Sequence, residues 1–145
     1  MDVTPSFKDK IEKKIFHKKL KILCLRNKKN YKKYKTWCDK YFYIDHQNEN
    51  RGIGGIFFDY LFDDWSKNFK FVREVGIFFL KISKFIIRRK IYSKSNIKLK
   101  EKQLIKRGRY AEFNLLYDRG TKFGLNTGGN IDAIFMSLPP KAKWK

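Results

Sequence analysis

An α+β fold, an antiparallel sheet flanked by helices, is what this sequence predicts. Three observations point there. Several stretches set apolar residues at helical spacing between lysines, which crowd Lys8–Lys40 and Lys81–Lys106. The lysine-poor blocks Tyr41–Asp64 and Ala111–Pro140 combine glycine turns with short apolar or partly alternating runs, as strands do. The length of 145 residues, 42% hydrophobic and 17% aromatic, suits one domain with enough apolar material for a core.

The elements follow in order. A helix is predicted over Ser6–Leu25, with Ile11, Ile15, Phe16, Leu20 and Leu23 at its spacing and Thr4 or Ser6 as N-cap beside Pro5. A second covers Lys32–Ile44, with Tyr34, Trp37, Cys38 and Tyr41 on one face. Arg51-Gly-Ile-Gly-Gly is a turn, and Ile56–Asp59 reads as a short buried strand. Ser66–Lys90 is a long helix with Phe69, Val72, Val75, Phe79, Ile82 and Ile86 along its stripe. Leu99–Lys106 adds a short helix. Tyr110–Tyr117 alternates partly and reads as a strand, turning through Asp118-Arg119-Gly120 into a second strand, Thr121–Leu125. Ile131–Leu138 is a last short helix, stopped by Pro139-Pro140.

Lys+Arg number 35 against 14 Asp+Glu, a formal charge of +21. Such a field attracts nucleic acid, acidic headgroups or a polycarboxylate substrate. Enrichment in Lys, Ile, Phe, Asn and Tyr, all with A/T-rich codons, offers a plainer origin. That origin is preferred, because the lysines avoid the motif-bearing blocks. The N-terminus has no apolar leader segment, and the most apolar run, Val75–Ile87, carries Lys81 and Lys84. It is also shorter than the ~20 residues that span a bilayer. Two cysteines make no disulfide framework. The expectation is a protein that is neither secreted, membrane-spanning nor disulfide-stapled.

Gly52, Gly54 and Gly55 run from glycines into a strand, the reverse order of a dinucleotide-binding loop, and read instead as a tight backbone path. His17 and His46 are the only histidines, and Cys24 and Cys38 lack metal-ligand spacing, so the pattern alone favours partly buried histidines over zinc ligands. Asp118-Arg119 has two readings: a self-satisfied turn pair, or a carboxylate and a guanidinium presented to a ligand.

Two long blocks then resemble one family. The run from Lys35 to Asp59, KTWCDKYFYIDHQNENRGIGGIFFD, and the run from Arg107 to Gly129, RGRYAEFNLLYDRGTKFGLNTGG, continuing to Met136-Ser-Leu-Pro-Pro and Trp144, are similar to oxygen-dependent coproporphyrinogen-III oxidases. Asp2-Val-Thr-Pro5 resembles that family's Asp-Leu-Thr-Pro element, so the resemblance covers the chain. It implies the family's sheet flanked by helices and, since members are about twice as long, that residues 1–145 are the C-terminal half of a single oxidase domain. Departures stand at Ile15 (a family histidine), Gln47 (arginine), Tyr60 (aspartate) and Asn130 (the arginine of a Gly-Gly-Arg substrate loop).

The resemblance also implies the chemistry. Two propionates of coproporphyrinogen III are oxidatively decarboxylated to vinyls with O2, giving protoporphyrinogen IX in haem biosynthesis, with no organic cofactor. Asp2 and Asp118 match the implicated aspartates, one polarising a pyrrole N–H, while Arg119 balances Asp118 or grips a propionate. Gly128, Gly129 and Asn130 match the substrate loop, and Arg51 falls among the substrate-binding candidates although a structural role in the glycine path is preferred for it. His17 and His46 match two of four positions assigned to a divalent metal. Tyr110–Lys145 matches the dimer-forming region, with Phe113, Leu115, Ile134, Phe135 and Met136 as apolar contacts. The expected partners are coproporphyrinogen III, a second copy in a cytoplasmic homodimer, and a separately encoded N-terminal half holding the proton-donor histidine and an Asn-x-Arg clamp. No specific nucleic acid and no membrane span are expected. The isolated chain is expected to be inactive. The alternative is a truncated, non-catalytic remnant: a basic dimerising protein or an incidental nucleic-acid binder.

Overall fold

A computed structural model describes residues 1–94 and 96–144. In chain order its elements are β1 (Asp2–Val3), α1 (Lys10–Arg26), α2 (Tyr31–Tyr41), β2 (Tyr43–Ile44), a 3-10 turn (Asp45–Gln47), β3 (Glu49–Asn50), β4 (Gly54–Gly55), α3 (Trp65–Lys90), α4 (Ile97–Leu116), α5 (Arg119–Asn126) and α6 (Ile131–Phe135). The class is α+β, with helices predominating. Two compact units are built from them: Met1–Tyr41 with Gly52–Lys94, and Phe42–Arg51 with the residues after Lys94.

In the first unit α1 begins at Asp9, whose Oδ1 accepts from the amides of Ile11 and Glu12 at 2.9 and 3.0 Å. The cap is thus Asp9, not Thr4 or Ser6, and the chain up to it is not helical. Phe16, Leu20 and Cys24, four residues apart, form the buried stripe, while Ile11 stays exposed. From α2, Tyr34 and Cys38 are buried, again four apart. Asp64 caps α3 through the Lys67 amide at 3.1 Å. These helices enclose a core of Phe16, Leu20, Tyr34, Ile53, Ile56, Phe71, Val75 and Ile82. Of the predicted α3 stripe, Val75 and Ile82 are buried and Ile86 packs against the core, joined by Phe71, whereas Phe69, Val72 and Phe79 are exposed.

β1 and β4 pair antiparallel, with Asp2 opposite Gly55 and Val3 opposite Gly54. The pairing is closer than a side chain allows. A Cβ on Gly52 would lie 2.2 Å from the Val3 carbonyl oxygen, and one on Gly55 would lie 2.1 Å from that of Met1. Gly54 sits at φ +84°, where L side chains are strained. Ile56–Asp59 is not a strand; its backbone donates singly, Ile56 to Met1 and Phe57 to Tyr34, at 2.9 and 3.1 Å.

In the second unit β2 and β3 form a two-stranded antiparallel ladder, with Tyr43 opposite Asn50 and Ile44 opposite Glu49. The predicted strands Tyr110–Tyr117 and Thr121–Leu125 are both helical, in α4 and α5, so the expected sheet reduces to two short ladders among the described residues. Tyr110–Tyr117 contains no β-branched residue, and its Ala, Glu and Leu favour helix. Gly108 and Ala111 give α4 a low face: a Cβ on Gly108 would meet the Lys143 carbonyl oxygen at 2.7 Å. Phe113 is fully buried and is therefore withdrawn as a dimer contact. Lys145, the end of the proposed dimer region, lies outside the described residues.

Candidate functional site

Asp118 ends α4 and starts α5. Its extended backbone turns the chain, and its Oδ2 accepts from the Thr121 amide at 2.8 Å and the Thr121 hydroxyl at 3.1 Å. The carboxylate thus sits at the N-terminus of α5, where it satisfies one of the helix's otherwise unpaired amides. Among the described residues, both of these bonds fall on one oxygen, Oδ2. Arg119 is the exposed first residue of α5, beside that carboxylate in sequence.

The Gly128-Gly129-Asn130 segment links α5 to α6. Gly128 takes φ +69°, and a Cβ on Gly129 would come within 2.9 Å of the Gly124 carbonyl oxygen. Asn130 caps α6, its Oδ1 accepting from the Ala133 amide at 3.1 Å. The side chain at this position, where the resemblance implied a guanidinium, is therefore committed to capping a short helix.

Arg51 is enclosed by rings of its own unit, with its guanidinium carbon 4.3, 4.6 and 5.0 Å from the centroids of Phe42, Phe113 and Tyr110. Its Nη1 also donates to Asn114 Oδ1 at 3.4 Å. A stacked, weakly hydrated guanidinium in such a cage braces backbone.

Asp2 stands on β1 in the first unit. Its Oδ2 accepts from the Thr4 hydroxyl at 3.1 Å, and the Cys38 thiol points at its Oδ1 from 3.9 Å. Burial, and then the Asp2 charge, push the Cys38 pKa up to about 12, so the sulfur stays a protonated donor. The Thr4 hydroxyl and the Cys38 S–H are among the donors that hold this carboxylate in place.

Neither histidine is set up as a metal ligand. His17 Nε2 lies 2.8 Å from the Ile53 carbonyl oxygen and must donate to it, so in the neutral ring Nδ1 accepts from the Tyr31 hydroxyl at 2.8 Å. Burial holds its pKa below the ordinary value. His46 belongs to the other unit. Its Nε2 contacts Glu112 at 2.9 Å and its Nδ1 the Tyr117 hydroxyl at 2.7 Å, with the Tyr117 ring stacked on it. Burial works to raise the Glu112 pKa, but the bonds and charges of His46 and Arg109 outweigh it and hold the carboxyl below its ordinary value. Both nitrogens of each ring are engaged, and no group of three or more ligating residues occurs among the described residues. The residues present do not fit the divalent metal the resemblance implied.

All 145 residues match the family model described as "Coproporphyrinogen III oxidase". The chain belongs to that family. The proteins named "Oxygen-dependent coproporphyrinogen-III oxidase" of Rickettsia bellii, Rickettsia rickettsii and Rickettsia akari are each 48% identical to it over 145 residues. That alignment covers 99% of this chain and 52% of each relative. The chain spans about half the length of the curated relatives it matches. No helix among the described residues is long and apolar enough to cross a membrane.

Sequence reasoning missed Tyr31, Glu112 and Tyr117, the partners of the two histidines. Tyr117 is adjacent to Asp118, and Glu112 lies five residues before it. Only the helical reading of that segment would have set Glu112, Phe113 and Tyr117 on neighbouring turns.

Proposed function

We propose that this chain provides part of an oxygen-dependent coproporphyrinogen-III oxidase acting in haem biosynthesis. The single observation that carries this is the family match along the whole chain, with relatives of that name sharing 48% identity. The substrate is an electron-rich tetrapyrrole. Each propionate arm loses CO2 and a hydride equivalent to become a vinyl. The four electrons from two arms reduce one O2 to two waters, with protons taken up, and no organic cofactor is needed.

In this reading Asp2 or Asp118 accepts a pyrrole N–H, raising ring electron density for attack on O2. Arg119 grips a propionate, a bidentate task suited to a guanidinium. Gly128, Gly129 and Asn130 shape the backbone path beside the substrate, since the Gly128 and Gly129 amides donate within the turn to the Leu125 and Gly124 carbonyls at 3.4 and 2.9 Å and the Asn130 side chain is committed to α6. Arg51 acts as a brace and does not meet substrate. The enzyme is a cytoplasmic homodimer built partly through Tyr110–Lys145, and the 145 residues are completed by the family's other half. Alone they give no turnover, because removing a positioned acid or base costs ~10²–10⁴ in rate.

The test is anaerobic delivery of coproporphyrinogen III, followed by O2, to this chain with and without a co-expressed polypeptide supplying the unmatched half of the Rickettsia bellii relative. Protoporphyrinogen formation by the pair but not by the chain alone is expected. An associated but inactive pair would replace this reading with the non-catalytic remnant, which the loss of a guanidinium at Asn130 favours.

A further inference from the structure

Helix α3 carries two apolar faces. One meets the core; the other is open. Trp65, Phe69, Val72, Phe79, Leu80 and Ile87 lie along one side of the helix and are 45–74% exposed. Together they show on the order of 600 Å² of apolar surface, the upper range for a stable monomer and near the ~800 Å² per partner of a specific interface.

Three features say what covers it. The positions along this face, with Gly76 and Ser83 between the larger side chains, are all uncharged in a chain that carries 35 Lys+Arg. Gly76, at its middle, has nothing within 4 Å of an added Cβ, so the face has a low point where another backbone can approach closely. A bilayer-seeking helix fills its apolar face with bulky side chains and gains nothing from glycine and serine there. The third feature is length: the Rickettsia relatives match this chain throughout, yet 48% of their own length lies beyond the match, since it covers 52%.

We propose that the open face of α3 is the docking surface for the polypeptide that these relatives carry beyond the matched region. The inference rests on the reading above, in which such a polypeptide completes the enzyme, and it names where that polypeptide binds.

The experiment uses the full chain co-expressed with the unmatched portion of the Rickettsia bellii relative, and the same two polypeptides joined by a flexible linker. Phe69→Asp with Leu80→Glu should weaken co-purification at least ~10-fold while leaving helix content unchanged, since both side chains are exposed. In the linked protein, Leu80→Cys should be shielded from maleimide but react freely in the chain alone. Cys24 and Cys38 add little background, because both are buried and burial pushes their pKa values to about 11 and 12. Unchanged co-purification by the double variant, or a reactive Leu80→Cys in the linked protein, overturns the proposal. So does loss by the double variant of binding to phosphatidylserine vesicles, or of self-association, with pairing intact. Docking that is lost in the double variant, from a pair that never turns over, leaves this proposal standing and removes the enzymatic reading; turnover with the face unprotected does the opposite.

Discussion

Adding one methyl group at Gly52 drives a Cβ to 2.2 Å from the Val3 carbonyl oxygen, a backbone atom that cannot yield without breaking the β1–β4 pairing. Gly52→Ala should therefore lower stability by roughly 1–3 kcal/mol. Gly76→Ala should do the reverse: nothing obstructs its Cβ, and the helix gains about 0.5–1 kcal/mol. Denaturant midpoints of the two variants should move in opposite directions. The tight glycine path was legible in the sequence, since clustered glycines imply close backbone approach; which carbonyl each glycine meets was not. His17 gives a pH prediction. Burial depresses its folded pKa below the ordinary 6.5, so as pH falls the unfolded chain takes up the proton first. Stability contributed by neutral His17 is full above pH 6.5 and is lost as pH drops below it. Urea midpoints at pH 7.5 and 5.5 should show that loss, and His17→Gln should remove its share.

At the scale of elements, Asp118 does two jobs that substitution separates. Asp118→Ala removes the α5 cap and should cost about 1 kcal/mol of stability. Asp118→Asn keeps a good cap and removes only the charge. If the carboxylate takes part in chemistry, Asp118→Asn in the complemented pair should abolish turnover with an unchanged circular-dichroism spectrum; retained turnover would reduce Asp118 to a cap. The same segment shows why strands were misread. Partial alternation and aromatic content suggested β, but pairing partners decide strands, and Tyr110–Tyr117 packs as helix around Phe113 instead. In α3 the periodicity placed the helix correctly and found Val75, Ile82 and Ile86 of its inward side, but it took the exposed Phe69, Val72 and Phe79 for core and missed Phe71. A helix apolar over so wide an arc can turn either face inward, and only the packing of α1 and α2 selects Phe71, Val75 and Ile82.

For the whole molecule, a charge of +21 makes some attraction to polyanions unavoidable. If the lysines reflect compositional drift, that attraction has no sequence preference. Unrelated DNA duplexes should bind with equal affinity and weaken at least ~100-fold between 50 and 200 mM salt, as counterion release requires. A preferred sequence in competition assays would contradict this and favour a nucleic-acid function.

The sequence by itself determined the family, the helices α1, α2 and α3 to within a few residues, and the glycine path, because long motif blocks and strong local periodicity are written in neighbouring residues. Only tertiary structure decided the rest. The ring nitrogens of His17 and His46 are taken by Tyr31 and Ile53, and by Tyr117 and Glu112, at separations of 14 to 71 residues, and Asp2 meets Cys38 across 36. Such contacts depend on how helices pack, and no local pattern encodes them. Asn130 makes the point at shortest range: a substitution that reads in sequence as a lost guanidinium becomes, once the chain is folded, the cap that starts α6.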